Sequence, residues 1–318
     1  MGELELLTIG RVGVDLYAEQ IGVSLAEART FAKSVGGSPT NVAVAAARLG
    51  HRSAVVTAVG DDELGAYVRD ALLRRFGVDV RFVGVHPTLR TPLAIAASDP
   101  PDRPTLVFYR EPSAPDEEIA LEDRHLEAAR EAEILWVAGS CLSGRLTGPT
   151  ATAMLEARGR RRHTVVDLDY RPTFWASEAD ARRSIGAAVE LATVAVGNRR
   201  ECQVAVGTDD PDAAAGALLE RGLELAIVKL GGDGVLLATP DGRERVAPLP
   251  VEVVNGLGAG DAFGGALCHG LLTGMAPEEA VRFAAAAGAI TAGRLLCADA
   301  MPTEREVEEL LETSGARA

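Results

Sequence analysis

The stretch VVNGLGAGDAFGGAL, residues 253 to 267, sets Gly256, Gly258 and Gly260 directly ahead of a carboxylate, Asp261, where a strand-like run gives way to a helical one. Glycines admit backbone conformations closed to other residues and let a ligand approach the chain, while successive N–H groups at a helix start cradle an anion. The amides of Gly258, Ala259, Gly260 and Asp261 would form such a cradle. An aspartate acting only as a helix cap would repel a phosphate brought to the same amides. An aspartate that accepts a proton from an attacking hydroxyl belongs there, because nucleophile and transferred phosphoryl group must meet in line beside the cradle.

Other glycine-turn chemistries fit less well. Counted from Gly256, a dinucleotide-type G-x-G-x-x-G would need glycine where Asp261 stands, and the chain beyond reads as helical instead of supplying a second strand with its acid. That weakens a nicotinamide dehydrogenase reading. A Walker A loop is absent, since neither of the two lysines, Lys33 and Lys229, follows the required glycine.

The elements that must position these residues alternate. LLTIG (6–10), SAVVTAV (53–59), EILWVAG (133–139), HTVVDLD (163–169), TVAVGN (193–198) and LAIVKLG (225–231) read as strands, several of them apolar on successive residues, as strands buried on both faces are. Helical stretches intervene, one with Pro39 near its start and Gly50 past its end, others closing at Gly77 and Gly274. The pattern predicts an α/β fold with a mainly parallel sheet between helical layers. Residues 11–35 and 88–110 hold strand-like runs without crossover helices, and are expected to pair as a small separate sheet over the main one.

Bulk properties exclude several classes. The 318 residues, 47% hydrophobic, suffice for a substantial core in one large or two ordinary domains. A net charge of −14 with no run of five basic residues argues against nucleic acid and anionic membrane partners. The densest basic cluster, residues 160–162 with Arg158, reads as a solvated helix end. Four cysteines without a CxxC and five histidines without an HExxH make structural zinc unexpected. Their apolar contexts predict buried free thiols in a reducing compartment. The first residues lack a basic n-region, and no stretch reaches the roughly 18 uninterrupted apolar residues of a membrane span. A cytoplasmic protein is expected.

GGSPTN (36–41) and NGLGAGD (255–261) together resemble the two signatures of the ribokinase, or phosphofructokinase B, family of carbohydrate kinases, G-G-x-x-x-N and D-T-x-G-A-G-D. The resemblance spans nearly the whole chain. It implies a single domain over 1–318 with a ribokinase-like three-layer sandwich, a small β-sheet lid from 11–35 and 88–110, and ATP and Mg²⁺ as cofactors. It also implies Asp261 as catalytic base, Gly258, Ala259 and Gly260 as anion hole, and Asp15, Gly37 and Asn41 as substrate contacts. NRRE (198–201) resembles N-x-x-E, through which Asn198 and Glu201 organise magnesium and phosphate, usually by way of water. KLGGDG (229–234) resembles the T-x-G-x-x-G nucleotide loop, placing Gly231 and Gly234 near ATP. Related lids pair two copies, so a homodimer through the lid is expected.

The chain departs from that pattern at Asn255 and Gly256, at Lys229 and in CADAMP (297–302). The first and last fall near the family's monovalent-cation loop and leave the use of such an ion open. Lys229 either brings a cation to the nucleotide phosphates or points to solvent from a strand end.

Arg171 in DLDYRPTFW follows a strand at the end where α/β proteins bind ligands, and Tyr109 and Arg110 in FYRE lie on the presumed lid. Arginine matches a carboxylate with two-point geometry, which points to a sugar acid, although a surface ion pair and a helix-start contact would also account for the two arginines. Both motifs resemble those of family members acting on keto-deoxy-gluconic acids. The resemblance implies phosphorylation of a terminal primary hydroxyl, of 5-dehydro-2-deoxygluconate first, with 2-keto-3-deoxygluconate, another sugar or a nucleoside as alternatives. A non-catalytic sugar sensor on the same fold is a further alternative. Arg11 and Lys33 would add charge on the lid side or lie exposed.

Overall fold

The computed structural model describes residues 4–314. In chain order it begins with strands β1 (Leu6–Ile9), β2 (Gly13–Ala18) and β3 (Phe31–Gly36), helix α1 (Ser38–Arg48), β4 (Ser53–Gly60) and α2 (Glu63–Asp70). Next come β5 (Val83–His86), β6 (Leu93–Ala97), β7 (Thr105–Tyr109), α3 (Asp123–Glu131), β8 (Ile134–Ala138), α4 (Thr147–Arg158) and β9 (Thr164–Asp167). The series α5 (Glu178–Glu190), β10 (Val194–Asn198), α6 (Arg199–Val206), α7 (Pro211–Glu220) and β11 (Leu225–Lys229) precedes the hairpin β12 (Val235–Thr239) and β13 (Gly242–Val246). Helices α8 (Ala259–Thr273), α9 (Pro277–Ala292) and α10 (Glu304–Thr313) end the described chain.

Nine strands form one sheet in the order β13-β12-β11-β10-β9-β8-β1-β4-β5, parallel from β11 to β5 and antiparallel at the β12–β13 edge. The β12–β13 hairpin and the short β5 add to the strands expected from the apolar runs. Alternation of side chains across a strand explains why the central strands are apolar at every position. In β8, Leu135 and Val137 join the core beneath α3–α7, while Ile134 and Trp136 join the core beneath α1, α8, α9 and α10. The result is the expected three-layer sandwich.

Strands β2, β3, β6 and β7 make the second sheet, in the order β3-β2-β6-β7. Its register puts Asp15 beside Ala94 and Ala94 beside Phe108, so Asp15, Tyr17, Leu106 and Phe108 share the face turned to the main sheet. Val14 and Val35, on the other face, pack against the α2 region, and Phe31, Val107 and Tyr109 stay exposed there.

All four cysteines are free and buried. Arg161 and Arg162 are exposed, as a solvated helix end would be, but Arg158 departs from that reading. It is 3% exposed, and its guanidinium donates to the carbonyls of Ala129, Ala132 and Glu133 at 2.7 Å each, tying the end of α4 to α3 and β8. Among the described residues no helix is long and apolar enough to cross a membrane.

Candidate active site

Helix α8 holds Asp261 in its first turn, behind Gly258, whose φ of 82° is open to glycine and whose added Cβ would lie 2.7 Å from Cys297 Sγ. Helix α1 begins after Gly37, at φ 102°, where a Cβ would meet the Arg11 carbonyl oxygen at 2.3 Å. The two helices approach closely at Gly265, where a Cβ would lie 2.9 Å from the Ala46 nitrogen and 3.0 Å from the Val42 carbonyl oxygen. A Cβ on Gly265 would fall 2.3 Å from that of Ala45, and one on Gly264 2.8 Å from the Trp136 ring. The first turns therefore meet, and the Ser38 hydroxyl and Asn41 Nδ2 donate to the two oxygens of Asp261 at 2.8 Å each. Burial raises the Asp261 pKa above the usual carboxylate range, opposed by these two hydrogen bonds. Asn41 Oδ1 is buried with no partner, an acceptor suited to a ligand hydroxyl.

A polar cleft of about 240 Å³ opens over these groups. Strand ends supply much of its wall, with Arg11 beyond β1, Asp167, Asp169 and Arg171 at the end of β9, Asn198 closing β10 and Lys229 closing β11. This is the carboxyl end of the parallel strands, the usual ligand edge of such sheets. The second sheet covers it with Asp15, Tyr17, Leu106 and Phe108. The Tyr17 hydroxyl bonds to Asp15 Oδ2 at 2.7 Å and to Cys297 Sγ at 2.8 Å. Burial pushes the Asp15 carboxyl up to about 6, with the Asp261 charge adding to it and Tyr17 and Arg11 opposing it.

Two guanidiniums converge on Asp169. Arg11 donates through Nη2 at 3.0 Å, with Nε on Ser140 Oγ and its plane over the Phe174 ring at 4.9 Å, and Arg171 donates through Nε at 2.9 Å. Against a strong burial penalty, Arg171 and Arg11 hold the Asp169 carboxyl well below its ordinary range. Neighbouring Asp167, buried without such a pair, is pushed up. Asp169 thus fixes both arginines by one nitrogen each and leaves further N–H groups of each fork for a ligand.

Tyr109 and Arg110 depart from the expected substrate pair. Tyr109 is 59% exposed on the outward face, because register turns Phe108 to the cleft in its place. Arg110 is folded onto Asp116 at 2.5 Å and Glu117 at 2.9 Å, so its guanidinium braces the 115–117 turn and does not line the polar cleft.

Asn198 and Glu201 line the cleft as a helix cap, Asn198 Oδ1 accepting from the Glu201 N–H at 3.0 Å and Glu201 Oε2 from the Asn198 N–H at 2.7 Å. Asn255 Nδ2 donates to the Leu295 carbonyl at 2.6 Å, pinning the loop ahead of Gly258. Lys33 lies 3.7 Å over the Tyr67 ring, away from the cleft.

A second, apolar cleft of about 580 Å³ adjoins the first, lined by Val235, Val251, Val253, Phe263 and Ala289 among others. Gly231 and Gly234 turn between β11 and β12 at its wall, Gly234 at φ 88° with room for no Cβ, since one would lie 2.1 Å from the Val246 carbonyl oxygen. Lys229, Gly256 and Gly260 line both clefts. Sequence reading missed Ser38, Tyr17, Asp167, Asp169 and Phe108, and gave Arg11 only a charge. Of these, Ser38 lay inside the GGSPTN motif and both aspartates inside DLDYR.

Residues 4–304 match the pfkB family of carbohydrate kinases. The chain is 32% identical to a 5-dehydro-2-deoxygluconokinase from Photobacterium profundum, over 98% of this chain and 95% of that one. It is 31% identical to another from Geobacillus thermodenitrificans, over 97% and 93%. Among solved structures, a PfkB protein from Polaromonas sp. JS666 superposes with TM-score 0.81 at 27% identity, covering 96% of this chain and 99% of that one. A fructokinase from Vibrio cholerae O395, solved with fructose, ADP and calcium, does so with TM-score 0.82 at 26% identity, covering 97% and 99%. With two joined clefts, a half-buried carboxylate at the helix start beside their seam and a family match over nearly its whole length, the chain belongs to the pfkB family of carbohydrate kinases.

Proposed function

We propose that the protein transfers the terminal phosphoryl group of ATP to the primary hydroxyl at the end of a sugar acid, 5-dehydro-2-deoxygluconate before others. One observation carries the reading: Asp261, oriented by Ser38 and Asn41, stands at the helix start where the polar and apolar clefts meet. Sugar fits the first cleft and the adenine end of a nucleotide the second, lined as it is by apolar side chains and glycine backbone. Asp261 accepts the proton of the attacking hydroxyl, and the amides of residues 258–261 take charge developing on the phosphoryl oxygens. Asp15, Gly37 and Asn41 hold sugar hydroxyls. The free N–H groups of Arg171 and Arg11 hold the carboxylate, the part that the motif alone would give to Tyr109 and Arg110. Asn198, Glu201, Gly231 and Gly234 attend the phosphates.

Magnesium fits this donor set. Glu201 keeps one oxygen outside its cap, and among the described residues no cluster of three ligating side chains builds a closed cage, as befits an ion held by few carboxylates, water and phosphate. Bound there, it would draw charge from the ATP phosphates.

The named relatives support the deoxy-keto acid over a neutral sugar. ATP consumption measured with 5-dehydro-2-deoxygluconate, 2-keto-3-deoxygluconate, fructose and a nucleoside tests it. The reading expects the first to give the highest kcat/KM; preference for a substrate without a carboxylate would overturn it. Pairing of two copies through the outward lid face, where Phe31, Val107 and Tyr109 are exposed, belongs to the same proposal. Light scattering on Tyr109→Glu should then show a shift to monomer.

A further inference from the structure

Lys229 ends β11 beside Asn198, at the seam of the two clefts. Its Nζ lies 3.4 Å from the point that a Cβ on Gly260 would occupy, so the ammonium stands next to the amides that start α8. Among the described residues it makes no ion pair within 4.0 Å and no hydrogen bond. An ammonium has three donors, and leaving them unfilled in a partly buried place is costly unless a ligand fills them. Burial works against its charge, but Asp167, Glu201, Asp261 and Asp169, in falling order, hold its pKa above the ordinary lysine value. It remains a cation and cannot serve as a proton acceptor at neutral pH.

We propose, resting on the kinase reading above, that Lys229 is a catalytic residue whose ammonium bonds to the oxygens of the phosphoryl group in flight. The sugar oxygen forms its bond to phosphorus as the bond to the β-phosphate bridging oxygen breaks. The electron pair of the broken bond leaves with ADP, the hydroxyl proton goes to Asp261, and Lys229 keeps its proton throughout. Its charge matters most when negative charge is concentrated at the seam, which is the condition for raising turnover more than ground-state affinity. Asp167 and Glu201 balance it when no nucleotide is present.

Lys229→Met, Lys229→Arg and the double variant Lys229→Met/Asp167→Asn test this. Removing one such donor lowers kcat by about 10²–10³-fold. Lys229→Met should show that loss with ADP affinity unchanged by calorimetry, a non-hydrolysable ATP analogue binding roughly three- to tenfold more weakly, and Lys229→Arg keeping part of the rate. The double variant removes the acid that would lose its counter-charge. It should fold even if the single variant does not, and should still lack the rate. Recovery of kcat in the double variant, or a single variant within about threefold of wild type, overturns the role and makes Lys229 a balancing charge only. If wild type binds ADP and the analogue but turns over no sugar acid, the substrate reading fails while the affinity ratio still judges Lys229. If it binds neither nucleotide, both fall.

Discussion

The two clefts are built on opposite principles. In the polar cleft most charges away from Lys229 and Asp167 are already answered: Asp169 by Arg11 and Arg171, Asp261 by Ser38 and Asn41, Asp15 by Tyr17. In the apolar cleft the wall is mostly apolar side chain and glycine backbone, with little to orient a polar group beyond Asp102 and, at the seam, Lys229 and the amides of α8. Prior pairing fixes atoms within a narrow geometry before any ligand arrives, which is what proton transfer and carboxylate recognition need. Shape and apolar area suffice for a flat heterocycle. The comparison predicts that polar-cleft substitutions change turnover or choice of substrate, whereas apolar-cleft substitutions change nucleotide affinity alone.

The sharpest test is Asp261→Asn, which keeps the size and most of the hydrogen bonding but removes the base. It should lower kcat by about 10²–10⁴-fold with KM for either substrate little changed. Turnover within about threefold of wild type would leave a sugar-binding protein in place of an enzyme. Next, Arg171→Met should raise KM for a sugar acid by roughly 10–100-fold, the worth of a charge-assisted hydrogen bond, while leaving a neutral analogue unaffected. Equal losses for both would mean that Arg171 serves only to hold Asp169.

On the other side of the seam, Ala289→Leu should crowd the apolar cleft and raise KM for ATP about tenfold, the lower end of the cost of overfilling a packed site, with kcat unchanged. A fall in kcat there would break the division between the clefts.

The smallest effect concerns Asp15. Its carboxyl is held near 6 by burial, above the ordinary 3.8, so the folded chain keeps a proton that the unfolded chain has already released. Stability therefore falls as pH rises from about 4 to 6, and the full cost, on the order of 2–3 kcal/mol at most, is present above that range. Asp15→Asn should melt a few degrees higher than wild type at pH 8 and show little advantage at pH 4. An advantage that grew toward acid pH would mean the native carboxyl is stabilised as an anion.

What the sequence disclosed follows the range of the forces involved. Buried parallel strands must be apolar at every position, so the sheet was visible as runs such as ILWVA, and glycine turns announce themselves because no other residue fits. The β12–β13 hairpin is less legible, since GRERV is polar and mostly exposed at the sheet edge. Within the site, Asp261 and Asn41 sit in local motifs. The clamp of Arg11 on Ser140 and Asp169 joins residues 129 and 158 positions apart, which no local pattern encodes. The misplaced Tyr109 shows how register decides the matter: a step of one residue along β7 exchanges the exposed phenol for Phe108.

The bare seam between α8 and α1 has a mechanical consequence. With Gly265 against the Ala46 nitrogen and the Val42 carbonyl of α1, the helices come close to main-chain contact there and have little compressible layer between them. Their opening turns must therefore travel as one stiff unit, so that any rocking of the scaffold carries Ser38, Asn41 and Asp261 together and leaves their mutual spacing intact.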